Sequence, residues 1–552
     1  MNFSVFTRVM MAGMFTVLIL GNITAQQKST PQNWFHLDFD RDGIPGLSTN
    51  RAYEELLNGR KSQPVVVAVI DSGIDYEHED LKPVMWVNED EIPGNGIDDD
   101  NNGYIDDIHG WNFIGNPDGR NIDDENLEIV RLYNQWKTRF EGADLSRLSK
   151  ADRADYDTYQ NYANEIKQKR AELAPNVELY SSTLKAFNSI AASLGKSHAE
   201  ITLEDVQGFR STDETLTRAG RMLSNYMQQG ETFEGIYHEI EDVFAYFNGQ
   251  YNYNWNPDFD ARHISGDNPM DTSDRNYGNS DVEGGDATHG THVAGIIGAA
   301  RGNGLGMDGV ADNVRIMSVR AVPNGDERDK DVANAIRYAV DNGAQVINMS
   351  FGKGASPQKE AVDEAVRYAV SKDVILIHAA GNDGKENNLS NNFPNDRFAR
   401  KGLFAPSEAA TWIEVGASTA LNSASLTADF SNYSPELVDV FAPGVRIYAT
   451  VPGDEYQNLQ GTSMAAPMVA GVAALLRGYF PDLTGTQIKS IIMASTVRYQ
   501  TQVNIPGGEG EKASFARLCV TGGIVNAYKA IELAKATKGK KKNAPARDPM
   551  LR

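Results

Sequence analysis

The 552-residue sequence predicts an α/β fold: a doubly wound, mostly parallel sheet with helices on both faces, interrupted by an inserted α-helical subdomain. Two observations predict the sheet and a third the insertion. Several short runs are mostly apolar and rich in β-branched residues, the one at 65–70 unbroken by any polar residue, as strands buried on both faces require. Stretches of helical periodicity separate them, the rhythm of a parallel sheet built by crossovers. One block, at about 121–250, contains no such run.

The elements follow in chain order. Residues 1–25 have the layout of a signal peptide: Arg8 closes a short charged region, VMMAGMFTVLIL at 9–20 is apolar, and NITA leads to a cut after Ala25. Export is expected, to the periplasm or the external medium. The apolar run is too short to span a bilayer as a stable helix and no later segment is long enough, so the processed chain is not expected to be an integral membrane protein. Residues 26–64 are read as an N-terminal segment ahead of a domain at 65–535, whose first strand is VVVAVI at 65–70. Comparable strands fall at 314–319, 346–349, 374–379 and 412–415, with helices at 332–342, 359–372 and 465–479. The last includes AAPMVAGVAALL, apolar all round and so expected to be central. ENLEIVRLYNQWKTRF and TFEGIYHEIEDVFAYF make the block at about 121–250 helical, and YNYNWNPDFDARHISGDNP at 251–269 leads back to the sheet. Residues 536–552 are basic, lack periodicity and read as a flexible tail.

Acidic residues outnumber basic ones 75 to 52, for a formal charge of -23. A surface of that sign repels phosphates, which excludes nucleic acid as a partner, and suits a soluble chain that holds cations. Cys519 is the single cysteine and forms no internal disulfide, so an exported chain must draw stability from core packing or bound metal. No cysteine follows the apolar run to carry a lipid, and the sequence bears no signal of oligomeric state.

Three segments sit where α/β folds place reactive groups, at strand ends and helix starts. VVVAVIDSGID puts Asp71 directly after the first strand, GDATHGTHVAGIIGAA puts His289 and His292 at the start of a Gly/Ala-rich helix, and GTSMAAPMVAGVAALL opens the central helix at Ser463. A serine hydroxyl attacks efficiently only if a base takes its proton, and that base must be held in the right tautomer. Asp, His and Ser supply those roles. In this chain order DSGID, HGTHVAG and GTSMAAP resemble the signatures of the subtilisin-like serine peptidases, the subtilases. The resemblance covers about 65–531 outside the helical block and implies a subtilisin-like fold and peptide-bond hydrolysis.

It also implies roles. Asp71 would orient His289, His289 would act as base and Ser463 would attack, while His292 is expected to pack or hydrogen-bond. Asn382 of HAAGNDG matches the family's oxyanion-hole asparagine, with the Ser463 backbone N–H as second donor. Ser350, Phe351 and Gly352 of NMSFG match one wall of the primary specificity pocket, and Ala379, Ala380 and Gly381 the facing wall. Phe351 points to an apolar wall. Val322 of RAVPNG matches the strand edge that pairs with an extended substrate. The loop NDGKENNLSNNFPNDRFARKGLF departs from the family's, so the pocket floor has no assignment.

GNGIDDDNNGYIDDIHGW at 94–111 reads as a metal loop. Asp98-x-Asp100-x-Asn102-Gly103-x-Ile105 has the opening spacing of a calcium loop, with alternate oxygen ligands, a turn glycine and an aliphatic anchor; Tyr104 takes the place that lends a carbonyl. His109 stands where a bidentate Glu would close the shell, leaving Asp106 or Asp107 to do so. The expectation is structural Ca²⁺ and no catalytic cofactor, against a solvated acidic turn. Asp38-x-Asp40-x-Asp42-Gly43 shares the opening but has no aliphatic anchor at its eighth position, making it the weaker candidate.

The expected function is thus a secreted serine endopeptidase acting on proteins or peptides. One alternative is an exopeptidase whose cleft the helical block caps, since that block lies between the Asp71 and His289 segments. The other is a calcium-dependent binding protein with a vestigial triad. Residues 26–64 do not resemble the folded pro-region of many secreted subtilases.

Overall fold

The computed structural model describes residues 30–399 and 406–541. The expected signal peptide lies outside the described residues. The chain divides into two units: one is built from residues up to Asp123, Arg262–Pro323 and Glu327 onward, the other from Asp124–Ala261 with Asn324–Asp326.

In the first unit the strands are β1 (Val65–Asp71), β2 (Gly110–Asn112), β3 (Val314–Arg320), β4 (Val346–Met349), β5 (Ile375–Ala379), β6 (Trp412–Ser418) and β7 (Val440–Pro443). There follow β8 (Ile447–Val451), β9 (Glu455–Leu459), β10 (Val497–Arg498), β11 (Gln502–Asn504), β12 (Lys512–Ser514) and β13 (Gly523–Ile524). Nine of them form one sheet in the order β10-β13-β7-β6-β5-β4-β1-β3-β2. Only the β10–β13 pair is antiparallel. β1 is the switch point, with β3 on one side and β4 on the other. Open sheets of this kind present their reactive groups at such a point, outside the carboxyl ends of the strands.

The run of β1 is unbroken because its alternate side chains enter different cores. Val65, Val67 and Val69 of β1 join one cluster with the helices Thr288–Gly298 and Thr462–Tyr479. Ala68 and Ile70 join another, with Asp329–Asp341 and Lys359–Ser371. The sheet is covered on both faces, as the sequence predicts.

Residues 30–64 are not a separate leading segment. Trp34, Phe35, Leu47 and Leu57 are buried in the first of those cores. Ala527 N–H donates to the Leu47 carbonyl at 2.7 Å, Asn526 Nδ2 to Ser48 Oγ at 2.7 Å, and Trp34 Nε1 to the Arg446 carbonyl at 3.3 Å. Their apolar residues follow no helical or strand period, which is why the sequence conceals this docking. The Asp38 to Asp42 repeat is a short helix, Phe39–Asp42, with Asp38 as N-cap accepting from Arg41 N–H. At the other end, the tail expected from 536 is bound as far as 541: Lys541 N–H donates to the Asp482 carbonyl and Gln487 Nε2 to that of Lys538, both at 2.9 Å.

The second unit is helical, with Glu128–Phe140, Lys150–Leu194, Glu214–Met227 and Phe233–Gly249. Ser149 and Asp152 form a capping box at the start of the long helix and Gly195 ends it in a left-handed conformation. Phe187, Ile190, Leu223 and Phe233 form its core. The unit runs past the expected limit of 250 to Ala261 and takes in Asn324–Asp326. Asn254 explains the difference: its buried amide donates to the carbonyls of Glu125 at 2.9 Å and Asn324 at 2.8 Å. A polar anchor of this kind has no apolar signature.

Candidate active site

Asp71 is the last residue of β1 and is 2% exposed. Its Oδ1 lies 2.7 Å from His289 Nδ1 and also accepts from Ser72 N–H at 2.8 Å. The approach needs a glycine. A Cβ on Gly290 would stand 2.0 Å from the Gly73 carbonyl oxygen and 3.2 Å from Asp71 Cβ, so any side chain there would push the His289 helix off the strand end. Burial works against a charged imidazole, but the Asp71 charge and hydrogen bond outweigh it and hold the His289 pKa above its usual value. The carboxylate accepts the hydrogen bond of Nδ1–H, which keeps the proton on that nitrogen and leaves Nε2 as the basic one. His292 has the packing role expected of it: Nε2 lies 3.0 Å from the Ile447 carbonyl and 3.1 Å from that of Gln457, and burial lowers its pKa to about 4.

Ser463 is in the first turn of Thr462–Tyr479, where free backbone N–H groups give the helix its positive end. Pro467 has no N–H to bond the carbonyl of Ser463, four residues earlier. Ser350 Oγ donates to that carbonyl instead, at 2.9 Å, and Ser463 Oγ donates to the Ser350 carbonyl at 3.0 Å. Asn382 Oδ1 accepts from Thr462 N–H at 2.8 Å and Thr462 Oγ at 2.9 Å, which fixes the amide orientation. A Cβ on Gly461 would meet Asn382 Nδ2 at 3.4 Å and Ser463 N at 3.5 Å. Both expected oxyanion donors therefore border one small space, which the missing side chain of Gly461 leaves open.

The pocket walls follow from the sheet. Ser350, Phe351 and Gly352 leave the end of β4, while Ala379 ends β5 and runs into Ala380 and Gly381. Gly381 N–H donates to Thr462 Oγ at 3.1 Å, tying that segment to the helix that Ser463 opens. Val322 departs from expectation. β3 is flanked by β1 and β2 and ends at Arg320, and the Val322 amide donates to the Asp71 carbonyl at 3.2 Å, so that N–H is already engaged.

A family model described as "Subtilase family" matches residues 62–517. The chain belongs to the subtilase family. Among its relatives is "Thermophilic serine proteinase" of a Bacillus species, 40% identical over 221 residues, which are 40% of this chain and 48% of that protein. "Subtilisin" of Bacillus pumilus is 38% identical over 216 residues, 39% of this chain and 71% of that protein. "Subtilisin DY" of Bacillus licheniformis is 37% identical over 205 residues, 37% of this chain and 68% of that protein. This subtilase thus spans about half the length of the first of these relatives.

The acidic loop of this subtilase gathers fewer of its residues than the spacing suggests, and one from outside it. Oxygens of Glu91, Asp100 and Asp107 lie within 4.8 Å of one another. Glu91 lies ahead of the 94–111 repeat, in the preceding turn. Asn102 Nδ2 reaches Asp100 at 3.0 Å and Asp107 at 3.1 Å. Asp98 is turned to the backbone, accepting from Asn102 N–H at 3.0 Å and Gly103 N–H at 2.9 Å, and Asp106 accepts from Gly96 N–H at 2.9 Å. Ile105, the expected aliphatic anchor, is 48% exposed. Tyr104 is buried in its place, edge-on to the Trp111 and Tyr338 rings at 5.1 and 4.9 Å. The larger ring fills the aromatic core where an isoleucine would leave space. Tyr338 OH donates to Asp107 at 2.6 Å, and burial pushes the Asp107 pKa up to about 6.

Proposed function

We propose that this subtilase is an exported serine endopeptidase that cleaves proteins or peptides through Asp71, His289 and Ser463. The observation that carries the reading is the 2.7 Å Asp71–His289 contact, on the same strand-end face of the sheet as a helix-opening serine flanked by two oxyanion donors. The serine hydroxyl turns from the Ser350 carbonyl, gives its proton to His289 Nε2 and forms a C–O bond to the scissile carbonyl carbon. The oxygen, now negative, is held by Asn382 Nδ2 and Ser463 N–H. As the C–N bond breaks, the imidazolium returns its proton to the leaving amine. Water deprotonated by His289 then hydrolyses the acyl-enzyme. The relatives, a proteinase and subtilisins by name, support this chemistry.

Glu91, Asp100 and Asp107 fit a hard divalent cation, because the donor set is all oxygen and two of the three side chains are buried. We assign them to structural calcium, whose charge would offset their mutual repulsion. It lends stability and takes no part in bond cleavage.

A fluorophosphonate probe tests the peptidase reading. Wild type should be labelled and should cleave a denatured protein at internal bonds, while Ser463→Ala should do neither. Folded wild type that resists labelling would favour a binding protein, and products trimmed only from chain ends would favour an exopeptidase.

A further inference from the structure

Asn432 lies in the connection between β6 and β7 and is 1% exposed. Its neighbour ties it to the sheet: the buried Ser431 hydroxyl accepts from Ala417 N–H at 2.9 Å and donates to the Asn432 carbonyl at 2.8 Å. From this fixed place Asn432 directs its other polar groups at the segment that carries Asn382. Its backbone N–H donates to the Gly381 carbonyl at 2.8 Å. Its Oδ1 accepts from Asp383 N–H at 3.0 Å and Lys385 N–H at 3.2 Å, and its Nδ2 donates to Asn387 Oδ1 at 3.0 Å. Two N–H donors on one side of the amide determine which end is the oxygen.

These bonds fall on both sides of Asn382. The Gly381 carbonyl belongs to the peptide unit before the Asn382 Cα, and the Asp383 N–H to the unit after it. Each unit is planar, so holding both fixes the direction in which the Asn382 side chain leaves the backbone. Asn387 extends the hold, because its Nδ2 donates to the Ala380 carbonyl at 2.8 Å. The approach needs Gly381, whose φ is +100° and on which a Cβ would stand 2.5 Å from Asn432 Nδ2. Thr462 holds the tip of the same side chain through Asn382 Oδ1. Asn432 thus sets the root of the oxyanion donor and Thr462 its end.

We propose that Asn432 is a positioning residue for the oxyanion site. Its polar groups are all bonded within the chain, so it acts by holding the backbone around Asn382 with Nδ2 already facing the place where charge develops. Donors stabilise that charge most when they need not move to meet it, and a misplacement of about 1 Å costs on the order of a hundredfold in rate. The negative oxygen exists only once Ser463 has attacked, so the contribution belongs to kcat and not to KM.

The inference rests on the peptidase reading and is tested by a double-mutant cycle on a peptide anilide, with kcat and KM measured for wild type, Asn382→Ala, Asn432→Ala and the double variant. Asn432→Ala should lower kcat by roughly tenfold to a hundredfold and leave KM nearly unchanged. In the Asn382→Ala background the same change should lower kcat by less than about twofold, because the group it positions is gone. A residue that only supports the fold would cost as much in either background. Circular dichroism reports whether each variant is folded. If Asn432→Ala is not, Asn387→Ala, which removes the acceptor of Asn432 Nδ2, goes through the same cycle and should show the same dependence on Asn382. A folded variant with wild-type kcat, or equal losses in both backgrounds, overturns the inference and leaves the peptidase standing. Folded wild type that neither cleaves the anilide nor takes the fluorophosphonate label overturns both.

Discussion

Ser350 shows how one side chain serves two ends. Its hydroxyl satisfies a carbonyl that Pro467 leaves without its helical partner, and its own carbonyl receives the Ser463 hydroxyl. Ser350→Ala should therefore cost about 1–3 kcal/mol of stability, the penalty for an orphaned buried acceptor. A urea midpoint equal to wild type would refute this. Asp71 carries a kinetic prediction. Because its charge raises the His289 pKa, the base is lost by protonation as pH falls through a value above that of an ordinary imidazole. Asp71→Asn should move this acid limb of kcat/KM to lower pH and reduce kcat on the order of 10⁴-fold; limbs that coincide would contradict the assignment. At this scale the family and the Asp71–His289 contact were legible, since three motifs in one order carry Asp71, His289 and Ser463. The Ser350 hydroxyl was not, because only folding brings residues 350 and 463 together.

Among elements, the acidic loop behaves least as its spacing suggests. The repeat from Asp98 to Ile105 predicts a loop closed on itself, yet the carboxylates that converge include Glu91 and the ring that anchors it is Tyr104. Spacing reports which side chains alternate along a chain; it is silent about a carboxylate brought in by the preceding turn. If calcium fills this cluster, its binding to the folded state alone adds about 2.7 kcal/mol at a hundredfold excess over Kd. Calcium should raise Tm, and Glu91→Gln with Asp107→Asn should abolish the rise. Equal wild-type melting temperatures in calcium and in chelator would dismiss the ion. Five strands, β1 and β3–β6, were by contrast legible almost to their ends, because burial on both faces leaves a mostly apolar run, whereas β2 and β7–β13 were not.

For the whole molecule, the sheet and the helical second unit were predicted, while the place of residues 30–64 was not. A chain beginning at Lys61 keeps every triad residue but loses Trp34, Phe35, Leu47 and Leu57 from the core. Each such side chain contributes about 1.5–3 kcal/mol on burial, against roughly 5–15 kcal/mol for a typical native protein. That truncation should abolish cooperative unfolding, as followed by circular dichroism; a sharp transition would show that the segment is dispensable. Its seams join residues 412 and 478 positions apart, and the wider one closes only after Asn526, beyond Ser463, has been made. Contacts of such long range form late and slowly. A nascent chain therefore contains Asp71, His289 and Ser463 before it contains the residues that complete their frame. Timing, as much as geometry, then governs when Asp71, His289 and Ser463 acquire their finished surroundings.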